Sequence, residues 1–168
     1  MTPPPDPVRE LGALLRGKTV LLGIGNPILE DDGVGPYFVS LCRATPERIP
    51  LDCGEAPENY LGRAVREAPD CILLVDAVDF GGEAGEARLL DPREFLSRGV
   101  STHDLSLKLA ARFFEAETTA RVALLAFQPR ATRLGFALSD ELKGSARRIA
   151  RALGLLSGEG GAPIAPPF

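Results

Sequence analysis

Hydrophobic and polar positions alternate between two kinds of segment along the chain. Continuous apolar runs, typical of strands buried on both faces, cover residues 18–24, 71–78 and 121–127. Weaker strand patterns cover residues 49–53 and 86–90. Helical spacing is found at residues 8–15, 34–42, 60–68, 92–96, 104–115 and 140–156. This alternation predicts an α/β fold, a doubly wound three-layer sandwich with a mainly parallel sheet of about five strands and helices on both faces.

The pattern also predicts where the domain begins and ends. With 168 residues, 45% of them hydrophobic, the chain is long enough for one core that buries about 70% of its unfolded surface. Residues 18–156 form the predicted domain, residues 1–17 an N-terminal appendage, and the Gly/Pro-rich residues 157–168 a flexible tail.

Two helices carry more detailed predictions. In the helix at residues 104–115, the spacing of Leu105, Leu109, Ala110 and Phe113 predicts the buried face. Ser139 directly precedes the last helix and is predicted to cap it.

Composition and charge exclude several classes of protein. The net charge is −4 and the basic residues are scattered, which argues against nucleic-acid binding. There is no signal segment and no apolar run of membrane-spanning length, so we expect a cytoplasmic protein without a membrane partner. Cys42, Cys53 and Cys71 lack the paired spacing of a zinc or redox motif and are predicted to be buried thiols.

Three adjacent carboxylates, Glu30, Asp31 and Asp32, follow the first predicted strand between two glycine-containing turns. Carboxylates on adjacent residues raise one another's pKa when they lie close together. The cluster therefore indicates a bound cation, a shared proton or helix capping. The preceding Gly23 and Gly25 suggest a dinucleotide-binding turn, but Ile28 stands where the third glycine is required. The acids would also repel a phosphate.

Two carboxylates and an imidazole are predicted to meet at one edge of the sheet. Asp32 follows the first strand, Asp76 ends the third, and His103 precedes the helix after the fourth. Such a set suits Ni²⁺, Zn²⁺, Mn²⁺ or Fe²⁺ with positions left for water. Each residue also has an ordinary structural interpretation. Asp32 could cap a helix, Asp76 could belong to a strand-end loop, and a lone histidine is often a surface residue.

A second polar loop, residues 52–59, follows the second strand, and by itself it indicates only a turn with a capped helix. Together with the acidic turn, however, this loop belongs to an ordered series of motifs. The series consists of residues 23–26, 31–36, 52–59, 74–79, 101–104 and 127–129. In this order the motifs resemble the hydrogenase maturation endopeptidases, most closely the branch that processes the formate-hydrogenlyase hydrogenase.

The resemblance implies an endopeptidase, usually classed as aspartic-type, that removes the C-terminal extension of a nickel-loaded [NiFe]-hydrogenase large-subunit precursor. The nickel would be supplied by the precursor and not held tightly by the enzyme, and Zn²⁺, Cd²⁺ or another divalent ion could replace it in vitro. The implied metal-binding and catalytic residues are Asp32, Asp76 and His103, supported by Asp31 and Asp79. We expect the enzyme to be a monomer.

The resemblance also implies a substrate-facing surface. Its residues are Gly25, Asn26, Asp52, Cys53, Gly54 and Asn59, although Cys53 stands where the family often has glycine. Two alternatives remain open at this point, a nickel chaperone without protease activity and a nucleotide-binding α/β module.

Overall fold

A computed structural model of the protein describes residues 5–97, 104–135 and 137–158. The strands are β1 (Thr19–Ile24), β2 (Arg48–Gly54), β3 (Cys71–Ala77), β4 (Ala87–Leu90) and β5 (Arg121–Phe127). The helices are α1 (Pro7–Leu14), α2 (Val34–Leu41), α3 (Leu61–Arg66), α4 (Pro92–Ser97), α5 (Asp104–Glu117) and α6 (Asp140–Ala152). Two 3₁₀ turns follow β1 and β2, at Glu30–Gly33 and Pro57–Asn59.

The five strands form one sheet in the order β2-β1-β3-β5-β4. β1, β2, β3 and β5 are parallel, and β4 pairs antiparallel with β5 at the edge. The predicted α/β class and the mainly parallel five-stranded sheet are therefore confirmed. The chain passes from β1 outward to β2 and then returns to the other side of β1 as β3. Strand order thus reverses between β1 and β3, and in such sheets ligands bind beyond the carboxyl ends of the strands at this point.

Helices cover both faces of the sheet, as the predicted three layers require. Successive strand residues point to opposite faces. One face, which includes Leu21, Leu73 and Leu125, packs against α1, α2 and α6. The other, which includes Val20 and Ile72, packs against α3 and α5. The apolar strand runs arise because both faces of the sheet are buried.

The first helix belongs to the first of these layers. Leu11 of α1 is fully buried in the same cluster as side chains of α2 and α6. The described part of the predicted appendage, residues 5–17, thus packs on the core. Most of the predicted tail, residues 159–168, lies outside the described residues. Ser157 still belongs to the fold, because its N–H donates to the carbonyl oxygen of Leu41 over 2.9 Å.

The last helix ends earlier than residue 156, where the sequence pattern placed its end. Gly154 has a φ of +65°. The N–H of Leu155 donates to the carbonyl of Ala150 over 2.8 Å, and that of Gly154 to Arg151 over 3.0 Å. This pair of bonds is the Schellman motif, in which a left-handed glycine ends a helix. The predicted end was wrong because Gly154 was not recognised as the stop.

The buried face of α5 also differs from the prediction. Leu107, Ala110, Ala111 and Phe114 are buried, whereas Leu105 and Leu109 are 57% and 56% exposed. Leu107, Ala110 and Phe114 belong to the buried cluster on the second face of the sheet. The predicted stripe was therefore rotated on the helix surface, and two leucines are left facing solvent.

Candidate active site

The turn at Glu30–Gly33 directs two adjacent carboxylates to different surroundings. Successive side chains in a 3₁₀ turn are about 120° apart, because the turn has three residues per revolution. Asp31 is 1% exposed and Asp32 is 9% exposed, so both are buried. They have different hydrogen-bond partners, and the two residues are therefore not interchangeable.

Asp32 is held by the loop that leaves β1. Its Oδ2 accepts a hydrogen bond from the N–H of Asn26 over 2.8 Å, and its own N–H donates to the carbonyl of Leu29 over 3.0 Å. Oδ1 of Asn26 accepts the N–H of Ile28 over 3.1 Å and so stabilises the loop. The N–H of Gly25 is bonded to the carbonyl of Gly54 over 2.9 Å. The amides that a dinucleotide turn would offer to phosphate are thus used within the protein.

The other glycines bring the start of α2 directly onto the sheet. A Cβ at Gly35 would overlap the carbonyl oxygen of Ile24 and also approach that of Val75. A Cβ at Gly23 would overlap the carbonyl oxygen of Gly35 in the same way. Only glycine permits so close an approach of backbone to backbone. As a result the turn that carries Asp32 lies in contact with β3.

Asp76 reaches the same edge from β3. It is the penultimate residue of that strand and is 6% exposed. Because Gly23 pairs with Val75, Asp76 lies level with the end of β1. Its Oδ1 accepts the N–H of Ala77 over 2.8 Å. Asp32 and Asp76 thus bring two buried carboxylates to the same edge of the sheet.

His103, the third predicted ligand, lies outside the described residues, together with Ser101 and Thr102. α5 begins at the next residue, Asp104. Within residues 5–97, 104–135 and 137–158, no group of three His, Cys, Asp or Glu residues could hold a metal ion. The structure thus brings two of the three predicted ligands to one edge, and the full set stays a prediction.

Asp31 is surrounded by hydrogen-bond donors from the segment between β5 and α6. Its Oδ2 accepts the N–H groups of Arg130 (2.7 Å) and Ala131 (3.3 Å) and the hydroxyl of Ser139 (3.0 Å). Its Oδ1 accepts the N–H of Ser139 over 2.7 Å. Both oxygens are thus occupied within the protein, which favours an anchoring role over the predicted one of a supporting acid.

Ser139 occupies the N-cap position of α6, as predicted, but its hydroxyl donates to Asp31 and makes no capping bond to the helix. The two residues are 108 positions apart in the chain. No local pattern in the sequence could have indicated that they meet.

Asp79 belongs to a network centred on Gln128. Oε1 of Gln128 accepts the N–H groups of Phe80 (2.9 Å) and Gly82 (3.1 Å), and Nε2 donates to Oδ1 of Asp79 over 3.1 Å. The N–H of Gly81 also donates to Asp79, and these two bonds hold the pKa of this carboxyl below its usual value. Gln128 thus fixes the loop that follows Asp76. The available sequence signal was a glutamine directly after an apolar strand.

The predicted substrate-facing loop after β2 is joined to the loop after β1. Oδ1 of Asp52 accepts the N–H of Gly54 over 3.0 Å, and the carbonyl of Gly54 in turn binds Gly25. Asn59 is exposed at the end of the turn Pro57–Asn59, which contacts α5. Cys53 is different, because its side chain is buried in the core between the sheet and α3 and α5. Any contact of Cys53 with a substrate would therefore involve its backbone.

The three cysteines are buried and unpaired, as predicted. Burial raises the pKa of Cys42 to about 12 and that of Cys71 to about 11. Burial, reinforced by Asp52, also raises the pKa of Cys53. Such thiols stay protonated near neutral pH and are poor nucleophiles. This arrangement argues against a cysteine-dependent peptidase.

Known proteins share this sequence and this arrangement of strands. A family model described as hydrogenase maturation protease matches residues 42–154. The hydrogenase 3 maturation protease of Escherichia coli K12 is 32% identical over 146 residues, which are 84% of this chain and 92% of that protein. The chain belongs to the hydrogenase maturation protease family.

Solved structures agree with this assignment. The crystal structure of the [NiFe] hydrogenase maturation protease HycI from Thermococcus kodakarensis KOD1 has a TM-score of 0.77 and 35% identity. The alignment covers 86% of this chain and 99% of that one. The solution structure of the endopeptidase HycI from E. coli has a TM-score of 0.72 and 29% identity, covering 88% and 97%. This maturation protease is accordingly a peptidase, and the predicted family is confirmed.

The family model and the candidate site overlap in part. Asp76 and His103 lie inside the matched residues 42–154, whereas the turn that carries Asp32 precedes them. In the described part of the maturation protease, no helix is long and apolar enough to span a membrane.

Proposed function

We propose that this protease removes the C-terminal extension of a nickel-loaded [NiFe]-hydrogenase large-subunit precursor and recognises the precursor through its nickel. The observation that carries the proposal is the pair of buried carboxylates, Asp32 and Asp76, at the edge where strand order reverses. Asp32 lies in the turn after β1 and Asp76 near the end of β3, and a divalent cation presented by a substrate would compensate their charge. The nickel in this proposal belongs to the substrate.

His103 completes the proposed ligand set. One imidazole and two carboxylates suit Ni²⁺ and leave coordination positions for water or a peptide carbonyl. Zn²⁺ or Cd²⁺ could occupy the same ligands in vitro. A precursor that presents its nickel to these three ligands would bring its scissile bond to the carboxyl end of the sheet. The metal would then report that nickel insertion is complete.

Hydrolysis needs an activated water. Either a carboxylate at this edge accepts a proton from the water, or the nickel polarises the water or the scissile carbonyl. Asp32 and Asp76 are the described carboxylates at this edge whose position fits the first role. Asp31 does not fit it, because its two oxygens are occupied by four donors.

Exposed apolar side chains around this edge support a protein substrate. Among the described residues, the large hydrophobic side chains that are exposed are Ile28, Leu105, Leu109 and Leu134. Ile28 and Leu134 lie on the loops after β1 and β5, and the N–H of Gly135 joins these loops by donating to the carbonyl of Ile28. Leu105 and Leu109 lie in the first half of α5. Exposed apolar side chains of this size are common in protein-binding surfaces.

The size of the precursor on a denaturing gel tests the proposal. Nickel-loaded precursor should shorten with the wild-type protease and keep its length with the His103→Ala or Asp32→Asn variants. Nickel-free precursor should stay intact with every protein. Glu10→Gln is the matched control, because it removes an exposed carboxylate on α1 and should leave processing unchanged.

Three results would contradict the proposal. Cleavage of nickel-free precursor would show that the protease does not recognise its substrate through nickel. Unchanged cleavage by the His103→Ala variant would show that His103 is not part of the site. Transfer of nickel with no change in precursor length would indicate a metal chaperone.

A further inference from the structure

The geometry points to Asp31 as a positioning residue that fixes the orientation of Asp32 by anchoring the Glu30–Gly33 turn to residues 130–139. The inference rests on the proposed function, because it assigns to Asp32 the binding of a metal carried by the substrate. It concerns a residue that touches neither the metal nor the scissile bond.

The anchor consists of backbone and side-chain bonds across one junction. Four donors from residues 130–139 bind the Asp31 carboxylate. The N–H of Asp31 donates to the carbonyl of Ala131 over 3.0 Å, and that of Glu30 to Gly135 over 2.7 Å. The N–H of Gly135 returns a bond to Ile28 over 2.8 Å. Among the described residues, the Asp31 side chain therefore takes part in four of the seven bonds at this junction.

The turn needs such an anchor because its backbone is strained. Glu30 has a φ of +44°, in the left-handed region that residues other than glycine rarely adopt. Strain of this kind costs about 1–3 kcal/mol and persists only where the surroundings hold it. The two backbone bonds from Glu30 and Asp31 are weak constraints by themselves. The four bonds to the Asp31 carboxylate fix the strained turn.

Asp32 is the next residue in the turn and depends on it. Its carboxylate accepts one hydrogen bond among the described residues, from the N–H of Asn26. That bond constrains Oδ2 and leaves the carboxylate free to rotate if the backbone of the turn relaxes. The anchor at Asp31 thus holds Asp32 from the side of β5, while Asn26 holds it from the side of β1.

Removing the anchor should act on metal binding as well as on stability. In an Asp31→Asn variant, one acceptor oxygen becomes an NH₂ group that faces N–H donors, so at least one bond is lost with little change of volume. Residues that orient a metal ligand typically change metal affinity or activity by about 10- to 100-fold when they are replaced. A purely structural residue would lower the melting temperature and leave the Ni²⁺ affinity of the folded protein unchanged.

Four full-length proteins separate these outcomes: wild type, Asp31→Asn, Ser139→Ala and Ile149→Ala. Ser139→Ala removes one of the four donors and keeps the other three. Ile149→Ala is the stability control, because Ile149 is buried in α6 and belongs to the core packing. For each protein, calorimetry with Ni²⁺ alone gives the metal affinity, and precursor cleavage gives kcat and KM. Amide hydrogen exchange at residues 130, 131 and 139 reports the anchor directly.

We expect the Asp31→Asn variant to lose protection at these three amides and to bind Ni²⁺ about 10- to 100-fold more weakly, with a parallel fall in kcat. Ser139→Ala should show a smaller change in the same direction, and it decides the outcome should Asp31→Asn fail to fold. Ile149→Ala should melt at a lower temperature with wild-type Ni²⁺ affinity.

Wild-type Ni²⁺ affinity in both the folded Asp31→Asn and the Ser139→Ala variants, with stability alone reduced, would overturn the inference. That result would leave the proposed function intact, provided that wild type binds Ni²⁺ and cleaves the precursor. A wild-type protein that does neither would overturn both the proposed function and this inference.

Discussion

Gly25 lies directly against the backbone of Asp32, so that a Cβ at Gly25 would overlap the carbonyl oxygen of Asp32. Gly25 also has a φ of +140°, which side chains rarely permit. The glycine turn after β1 therefore serves to hold the acidic turn in place. The N–H of Gly25 donates to the carbonyl of Gly54, and this bond joins the two loops that flank the site.

Replacing Gly25 with alanine should therefore disrupt the site. The Cβ must displace the carbonyl of Asp32, and the left-handed backbone adds about 1–3 kcal/mol of strain. We expect precursor cleavage to fall below one hundredth of the wild-type rate, with a lower melting temperature. Both quantities are measured on the purified variant.

Gly154→Ala is the matched control, because Gly154, at the end of α6, also has a positive φ, of +65°, but no atom outside its chain neighbours lies within 4 Å of its Cβ position. It should cost about 1–2 kcal/mol from backbone conformation alone and keep most of the activity. Equal loss of cleavage in both variants would show that strain alone, and not the displacement of Asp32, is responsible.

Replacing Leu105 or Leu109 with serine should weaken binding of the precursor. Both side chains are more than half exposed on α5, so their loss should change stability by no more than about 0.5 kcal/mol. If they contact the precursor, KM should rise several-fold while kcat stays near wild type. Steady-state kinetics on nickel-loaded precursor measure both constants.

Ala116→Ser, an exposed position at the other end of the same helix, is the control for that experiment and should leave KM unchanged. An unchanged KM in the Leu105 and Leu109 variants would exclude this face of α5 from the binding surface.

The stability of the protein should depend on Asp79 at acid pH. The N–H of Gly81 and the side chain of Gln128 hold its pKa below the ordinary value of 3.8. The unfolded chain therefore binds a proton more readily than the folded protein. The ionised Asp79 carboxylate therefore stabilises the folded protein above about pH 4. This stabilisation is lost as the pH falls through the lower pKa of the folded state.

Urea unfolding between pH 2 and pH 5 measures this dependence. An Asp79→Asn variant should be less stable than wild type at pH 5, and the difference should shrink toward pH 2. A difference that is the same at every pH would show that the lost contacts, and not the ionisation of Asp79, decide the effect.

The cysteines should be inert in the native enzyme. Burial raises the pKa of all three thiols, so almost no thiolate is present near neutral pH. Ellman's reagent should therefore detect no thiol in the folded protein and three in guanidinium chloride. Pretreatment with iodoacetamide should leave precursor cleavage unchanged. Inactivation by the reagent would bring a cysteine back into the mechanism.

Local patterns in the sequence predicted the strands because burial on both faces of the sheet leaves continuous apolar runs, such as the residues of β3. The same runs predicted which residues follow the strands, and hence that Asp32 and Asp76 lie at one edge. Local patterns were less informative for helices. Gly154 ends α6 earlier than the spacing of apolar residues indicated, and Leu105 and Leu109 of α5 are exposed although their spacing predicted a buried face.

The sequence by itself determined the fold class, the family and the sheet edge at which the candidate site lies, because each depends on local periodicity or on motifs in a fixed order. It could not assign separate roles to the adjacent residues Asp31 and Asp32. Tertiary structure decided that assignment, since the donors to Asp31 come from residues 130–139, about 100 positions away along the chain. Hydrogen bonds between segments so far apart in sequence form only when β5 brings residues 130–139 next to the turn after β1. Local sequence patterns do not predict that contact.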